Sequence, residues 1–330
     1  MTTTMTDLSV RYMGLRLENP LIASSSPLTA TVGHIEQLVR GGIGAVVLKS
    51  IFEEQISGEA TMMARYGADY PEAADYLHAY LGADYLKGFI DLVSETKRKT
   101  GIPVIASINC MGRGKWVEYA GRIADAGADG LELNIFFMPD NETQASDEIE
   151  ARYLGIIEAV AQAVEIPVSV KFSMRFTNIF HMIQAAYNRG ARGAVLYNRF
   201  FEPDIDIEDM EYVPSSGLST PSELHRSLRD VAIASAEIPA VDLSVSTGVH
   251  SGADSVKAML VGARTVQLCS TLLMHGTQVI GEMKSFMSGW MERNGFCCTD
   301  DFRGLMNRKE RPGDPLLERV QYMKTFPAEI

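Results

Sequence analysis

Short apolar runs alternate with amphipathic segments along most of the chain. The first run follows Asn19-Pro20, and each later one follows either a glycine cluster or an Ile-Pro pair. A continuous apolar run of this length is typical of a strand that is buried on both faces. Leu21-Ile22-Ala23 predicts strand 1. Strands 2 to 8 are predicted, in order, at AVVLKS (45–50), VIASIN (104–109), LELNIF (131–136), VSVKFS (168–173), AVLYNR (194–199), AVDLSVS (240–246) and TVQLCS (265–270).

Between these runs, apolar residues recur every three or four positions, which predicts helices. Such segments lie at 85–96, 116–126, 149–164, 179–188 and 222–236. Strands that alternate with helices must pair in parallel through right-handed crossovers. Eight regular units favour a closed, single-domain (β/α)8 TIM barrel over the alternative, a doubly wound sheet, so residues 1–330 are expected to form one domain.

Three segments depart from the repeating unit. Residues 8–17 alternate around Met13-Gly14, which predicts an N-terminal β-hairpin that closes the floor of the barrel. Two connections are unusually long, 51–82 after strand 2 and 199–220 after strand 6. Both follow the carboxyl ends of strands, where barrel active sites are built, so we expect them to cover a ligand.

Composition narrows the class of partner. The formal charge of −12 and the pI near 5.0 argue against a nucleic acid or an anionic membrane and favour a small-molecule substrate. No apolar run reaches the roughly 18 residues of a membrane span, and the first residues lack the features of a signal peptide, so we expect a cytoplasmic protein. The four cysteines have no metal-ligand spacing, and no metal site is expected.

The predicted strands end in polar residues, two of which are lysines. Lys49 and Lys171 lie within apolar runs, and a buried ammonium needs an anionic or strongly accepting partner. That partner is either a ligand or a buried acid such as Glu132. The other polar strand ends are Ser24, Ser25, Ser50, Asn109, Asn134, Asn198, Thr247, Gly248, Cys269 and Ser270.

Strands 7 and 8 both end in small residues, Ser246-Thr247-Gly248 and Cys269-Ser270-Thr271. Such ends expose backbone N–H groups, and barrels of this kind commonly hold a phosphate after strands 7 and 8. Two lysines, several amides and a phosphate cradle suit flavin mononucleotide (FMN), with its pyrimidine edge toward the lysines. The rival interpretation is a flavin-free barrel, either an aldolase-type lyase that forms a Schiff base on a sugar phosphate or a binding protein.

The strand ends together resemble those of the class 1 dihydroorotate dehydrogenases. The matching residues are Asn19-Pro20, Ala23-Ser24-Ser25, Leu48-Lys49-Ser50, Glu132-Leu133-Asn134, Val170-Lys171, Tyr197-Asn198 and Thr247-Gly248-Val249. The likeness runs from the N-terminal hairpin to Asp301-Phe302-Arg303-Gly304. It implies an FMN-dependent oxidoreductase that acts on CH–CH groups, with dihydroorotate oxidation in pyrimidine biosynthesis as the nearest reaction, and it implies a homodimer.

The resemblance also implies a role for individual residues. Lys49 would lie near the pyrimidine edge of the flavin, and Asn134 and Asn198 would face the substrate. Substrate contacts are expected from Lys49, Asn134, Asn198 and Arg199. Cofactor contacts are expected from Ala23, Ser24, Ser25, Lys49, Ser50, Asn109, Asn134, Lys171, Tyr197, Thr247, Gly248, Cys269 and Ser270, of which Thr247, Gly248, Cys269 and Ser270 surround the phosphate.

Two segments depart from the family pattern. The family's strand-4 loop carries a Cys or Ser base, whereas residues 134–141 read Asn-Ile-Phe-Phe-Met-Pro-Asp-Asn, with one extra residue and no thiol or hydroxyl. The family's Asn-x-Met-Gly-Leu substrate loop is replaced by Ala-Arg-Tyr-Gly-Ala-Asp-Tyr at 64–70. The resemblance therefore implies a retained flavin half and an altered substrate half.

Several residues could replace the missing base. Cys110, after strand 3, is a candidate thiolate and joins Lys49 and Asn134 as the catalytic set, although a small buried hydrophobe is the alternative. Tyr66, Tyr70, His78 and Tyr80 are candidate acids or lid aromatics, and His250 is a candidate neighbour of the phosphate. A reductase of another pyrimidine or of an enone, with Lys49 or a lid tyrosine as proton donor, is the alternative enzyme.

Overall fold

Eight parallel strands form a closed barrel at the centre of the molecule. The computed structural model describes residues 6–52, 71–109, 115–137, 142–200, 203–214 and 217–318. In order, barrel strands 1 to 8 are Leu21–Ala23, Ala45–Val47, Val104–Asn109, Gly130–Leu133, Val168–Phe172, Gly193–Leu196, Asp242–Ser246 and Thr265–Leu268. The short strand Ile51–Phe52 adds a further pairing to strand 3.

The ring closes between strands 8 and 1, where Val266 pairs with Leu21. Each strand pairs in parallel with its neighbours in chain order, and strand 2 reaches strand 3 through Val46 and Val104. Strand residues are buried on both faces, as their continuous apolar runs predict. The predicted closed (β/α)8 barrel is confirmed.

Helices cover the outside of the barrel in the predicted order. They are α1 Val32–Gly41, α2 Pro71–Thr100, α3 Lys115–Asp125, α4 Ser146–Ala163, α5 Ile179–Asn188, α6 Leu224–Glu237, α7 Gly252–Leu260, α8 Ser270–His275 and α9 Gln278–Asn294. The prediction of a loop over 51–82 is wrong from residue 71, because α2 begins there rather than near 85. Proline at the first helical position and the alanines and leucines after it favour this longer helix.

The N-terminal hairpin is confirmed as the floor of the barrel. Val10–Tyr12 pairs with Leu15–Leu17 across a turn in which Met13 has φ 52° and Gly14 has φ 82°. The Met13 backbone N–H donates to Asp242 Oδ2 at 2.7 Å, at the start of strand 7. Tyr12 is fully buried beneath the barrel interior. The open end is therefore the opposite one, where the strands finish.

The connection after strand 6 contains a second hairpin that the sequence pattern did not reveal. Pro203–Asp206 pairs with Glu211–Pro214, and the hairpin forms a sheet of its own. Ile207, Met210 and Tyr212 are each at least 80% exposed. Each strand of this hairpin has only four residues, the lower limit of the alternation by which a strand is recognised.

None of the helices within the described ranges combines the length and the apolar character that a bilayer crossing requires.

Candidate active site

A cavity of about 540 Å³ opens at the carboxyl ends of the barrel strands, and every one of the eight strands contributes to its lining. Thirteen of the residues predicted from the sequence line it together: Ser24, Ser25, Lys49, Ser50, Asn109, Asn134, Lys171, Asn198, Arg199, Thr247, Gly248, Cys269 and Ser270. Ala23 lies within strand 1 with no exposed surface, and Cys110, Tyr66 and Tyr70 lie outside the described residues. His78 and Tyr80 lie on α2, where only the backbone is described.

Lys171 is held at the base of this cavity by a buried polar network. Its Nζ donates to Ser24 Oγ and to Gln267 Oε1, both at 2.9 Å, and lies 3.8 Å from Glu132 Oε1. Gln267 Nε2 in turn donates to Glu132 Oε2. Lys171 is only 6% exposed, so the charge of Glu132 compensates an ammonium that burial would otherwise neutralise. The expected pairing with Glu132 is confirmed, and contact between Lys171 and a ligand stays a prediction.

Lys49 differs from Lys171 in its surroundings. It is half-buried and lines the same cavity, but among the described residues its ammonium makes no hydrogen bond or ion pair. Beside it, Ser50 Oγ lies 3.1 Å from Ser25 Oγ and 2.8 Å from Ser107 Oγ. The cavity therefore holds one lysine whose charge is already compensated and one whose charge is available to a ligand.

Two asparagine side chains meet across the cavity wall. Asn198 Nδ2 donates to Asn134 Oδ1 at 2.6 Å. Their backbones are fixed by strand-like hydrogen bonds, since Asn134 N donates to the Ile108 carbonyl and Asn198 N to the Phe172 carbonyl, both at 2.8 Å. The end of strand 4 is thereby tied to the end of strand 6.

The chain just after strand 4 carries two aromatic side chains, Phe136 and Phe137. Phe136 stacks on Phe200 with ring centroids 3.7 Å apart and planes inclined by 26°. Phe137 is 8% exposed, and the Arg152 guanidinium lies 4.0 Å from its ring centroid. Phe200 itself lines the cavity. Neither Phe136 nor Phe137 can accept a proton. The contact between Phe136 and Phe200 was not predicted, because the two residues lie on different loops.

The ends of strands 7 and 8 form a cradle around Ser219. Thr247 and Gly248 have φ of 75° and 80°, and the Gly248 N–H donates to Ser219 Oγ at 3.4 Å. The Ser219 N–H donates to Ser270 Oγ at 2.9 Å. Ser219 Oγ also lies 3.0 Å from Nε2 of His250, and burial lowers the pKa of that imidazole. Ser219 was not predicted, since its loop gave no periodic signal.

Gly248 has no room for a side chain. A Cβ on this residue would lie 2.2 Å from the Leu224 backbone nitrogen, at the start of α6. We expect Gly248→Ala to lower the free energy of unfolding by about 1–3 kcal/mol through backbone strain, with any clash adding to that. Chemical denaturation checks this, and Gly33→Ala is the matched control because a Cβ there has no atom within 4 Å. Equal stability of the two variants would contradict the expectation.

Two further predicted groups have raised pKa values. Tyr197 lies behind the main cavity, and its hydroxyl donates to Asp230 Oδ2 at 2.6 Å, while burial and that carboxylate raise its pKa. Its backbone carbonyl accepts from Thr247 Oγ1 at 3.1 Å. Burial also raises the pKa of the Cys269 thiol, and Lys171 opposes this in part. Neither group is therefore prepared to act as a base near neutral pH.

The barrel is closed and parallel, and its cavity gathers lysine, serine and asparagine side chains from the carboxyl ends of its strands. This arrangement defines a (β/α)8-barrel enzyme with its active site at those ends. The family model described as dihydroorotate dehydrogenase matches residues 7–291. The chain therefore belongs to the dihydroorotate dehydrogenase family and is an oxidoreductase acting on CH–CH groups.

Several named proteins are similar to this chain over most of its length. The catalytic subunit of dihydroorotate dehydrogenase B (NAD(+)) from Methanosarcina acetivorans is 28% identical, with 88% of this chain and 94% of the relative covered. The same subunit from Thermoplasma acidophilum is 27% identical, with 92% and 100% covered. The chloroplastic dihydropyrimidine dehydrogenase (NADP(+)) of Arabidopsis thaliana is 25% identical, with 90% and 76% covered.

Proposed function

We propose that this protein is an FMN-dependent oxidoreductase of a small planar substrate of the dihydropyrimidine or enone type. The observation that carries the proposal is the shared cavity, in which an available Lys49 ammonium, an amide pair and the strand 7–8 cradle line the same space. An aldolase-type lyase is less well supported, because family membership points to redox chemistry.

The residues present fit FMN. The cavity volume of about 540 Å³ falls in the range of roughly 300–1,000 Å³ typical of sites for ligands of this size. Thr247, Gly248 and Ser270 would hold the phosphate, and Lys171 and the strand-1 serines would lie against the ring system. The fixed position of Lys171, with Glu132 and Gln267 behind it, gives a preorganised N–H donor at the cavity base.

The bound cofactor would exchange a hydride equivalent with the substrate, and the protein's residues would bind, orient and protonate. Lys49 would stabilise negative charge that develops beside it and donate a proton in the direction of reduction. Asn134 and Asn198 would orient the substrate ring. Arg199 Nε donates to Glu223 Oε2 at 3.0 Å. Arg199 would therefore contact a substrate while it stays paired with Glu223.

The cofactor is tested directly by purification. We expect the protein to carry FMN rather than FAD, because the chain has no Gly-x-Gly-x-x-Gly motif that would serve an adenylate half. Absorbance of the purified protein and chromatography of the released cofactor identify it. A colourless protein that also fails to take up added FMN would overturn the proposal.

The family likeness also supports a homodimer acting in pyrimidine metabolism, and a cytoplasmic location stays an expectation from the sequence. Relatives differ in the acceptor that their names give, NAD(+) in the dihydroorotate dehydrogenases B and NADP(+) in the chloroplastic enzyme. The altered strand-4 loop and the changed residues 64–70 favour a substrate other than dihydroorotate. Cys110 stays a candidate base that lies outside the described residues.

A further inference from the structure

A second cavity of about 360 Å³ adjoins the active-site cavity on the side of strands 5 and 6. The two cavities share Asn198, Arg199, Phe200 and Thr247 as a common wall. The far side of the second cavity is formed by the first turn of α6 and by residues that follow strand 5. A ligand in it would therefore lie beside the site of chemistry without occupying it.

The lining of the second cavity is cationic although the protein is acidic. Arg175, Arg199 and Arg226 face it, and Glu223 is the acidic residue among the lining. Both Glu223 oxygens are already engaged, one by Arg199 Nε at 3.0 Å and the other by the Thr220 N–H at 2.8 Å. A net positive lining on a chain of formal charge −12 concentrates anions at this point.

Two side chains in the lining can form further hydrogen bonds. Arg226 is exposed, and its guanidinium makes no hydrogen bond or ion pair with any other described residue. Ser227 is 1% exposed, lines the same cavity, and its hydroxyl has no hydrogen-bond partner in the described part of the chain. This hydroxyl is not among the fully buried unpaired atoms of the described residues, so it is accessible from the cavity, where a ligand or solvent can satisfy it.

We propose that the second cavity is an anion-binding site for a small organic carboxylate or phosphate. Arg226 would bind the anion, since a guanidinium matches the geometry of both groups, and Ser227 would donate from the cavity wall. The shared wall at Phe200 places the body of such a ligand next to the active-site cavity. The site does not depend on the identity of the cofactor.

Isothermal titration of the purified protein with inorganic phosphate and with benzoate, at low ionic strength, tests this site. We expect at least one probe to bind, and we expect Arg226→Gln to weaken that binding about tenfold or more, because a charge-assisted hydrogen bond is lost. Ser227→Val should weaken it several-fold. The preferred probe distinguishes a phosphate ligand from a carboxylate ligand.

Arg229→Gln is the matched control, since Arg229 lies on the same helix but does not line the cavity. It should bind the probe within about twofold of the parent, and thermal unfolding shows whether each variant is folded. Absence of binding by the parent protein, or equal affinity in Arg226→Gln and Arg229→Gln, would overturn the proposal. So would a loss of binding confined to Ser270→Ala, because it would place the anion in the strand 7–8 cradle.

Discussion

Oxidised, FMN-loaded protein mixed anaerobically with dihydroorotate should lose its flavin absorbance slowly or not at all. Removal of a substrate proton by a general base typically contributes about a hundred- to ten-thousand-fold to the rate. The family resemblance places the base in the loop after Asn134, where this chain has Phe136, which stacks on Phe200, and Phe137, which is buried. We therefore expect the rate of flavin reduction by dihydroorotate to be lower, by about that factor, than in an enzyme with the base. Stopped-flow absorbance measures this rate.

The control for this experiment is the reverse half-reaction. Photoreduced protein is mixed with orotate, uracil and a cyclic enone, and faster reoxidation by one of the latter two supports an altered substrate. Bleaching by dihydroorotate at tens per second would show that a base is present, either at Cys110 or on residues 66–80. The substrate would then be dihydroorotate, as in the names of the dihydroorotate dehydrogenase relatives.

Lys49→Ala should slow flavin reoxidation by the best acceptor about a hundred-fold while FMN stays bound. The loss of a positioned charge next to developing negative charge costs on the order of 3 kcal/mol in the chemical step. The strand 7–8 cradle would hold the phosphate end of the cofactor separately, so the affinity for FMN should change much less. Stopped-flow kinetics and a fluorescence titration of FMN measure the two effects.

Lys87→Ala is the matched control, because Lys87 is exposed on α2 and does not line the cavity. Lys171 is unsuitable for this comparison, since its removal would leave Glu132 buried at 1% exposure without a counter-charge. A Lys49→Ala protein that retains FMN and reacts at the parent rate would assign Lys49 a structural role.

The barrel was predictable because its signals are local. Strand 3 was predicted at 104–109, as observed, since a buried parallel strand is a continuous apolar run. Thirteen residues predicted at strand ends line one cavity. This was predictable because the carboxyl ends of parallel strands converge at the same end of a barrel.

Contacts between distant loops were not predictable. The stacking of Phe136 on Phe200 and the position of Ser219 between Gly248 and Ser270 join segments with no shared period. Gln267 lies inside an apolar run, and its pairing with Lys171 and Glu132 depends on which face of strand 8 points inward. The start of α2 at residue 71 was missed because the aromatic residues near it favoured a lid interpretation.

The hydrogen bond between Asn198 and Asn134 determines what the pair can offer to a ligand. It uses one N–H of Asn198 and the side-chain oxygen of Asn134. Within the described residues, this leaves both N–H groups of Asn134, the second N–H of Asn198 and the Asn198 side-chain oxygen, so a donor lies beside an acceptor. A cis-amide edge, in which a ring N–H adjoins a ring carbonyl, satisfies both at once. A simple enone has no N–H and would leave the Asn198 oxygen unmatched, so we expect the two asparagines to favour lactam rings over enones.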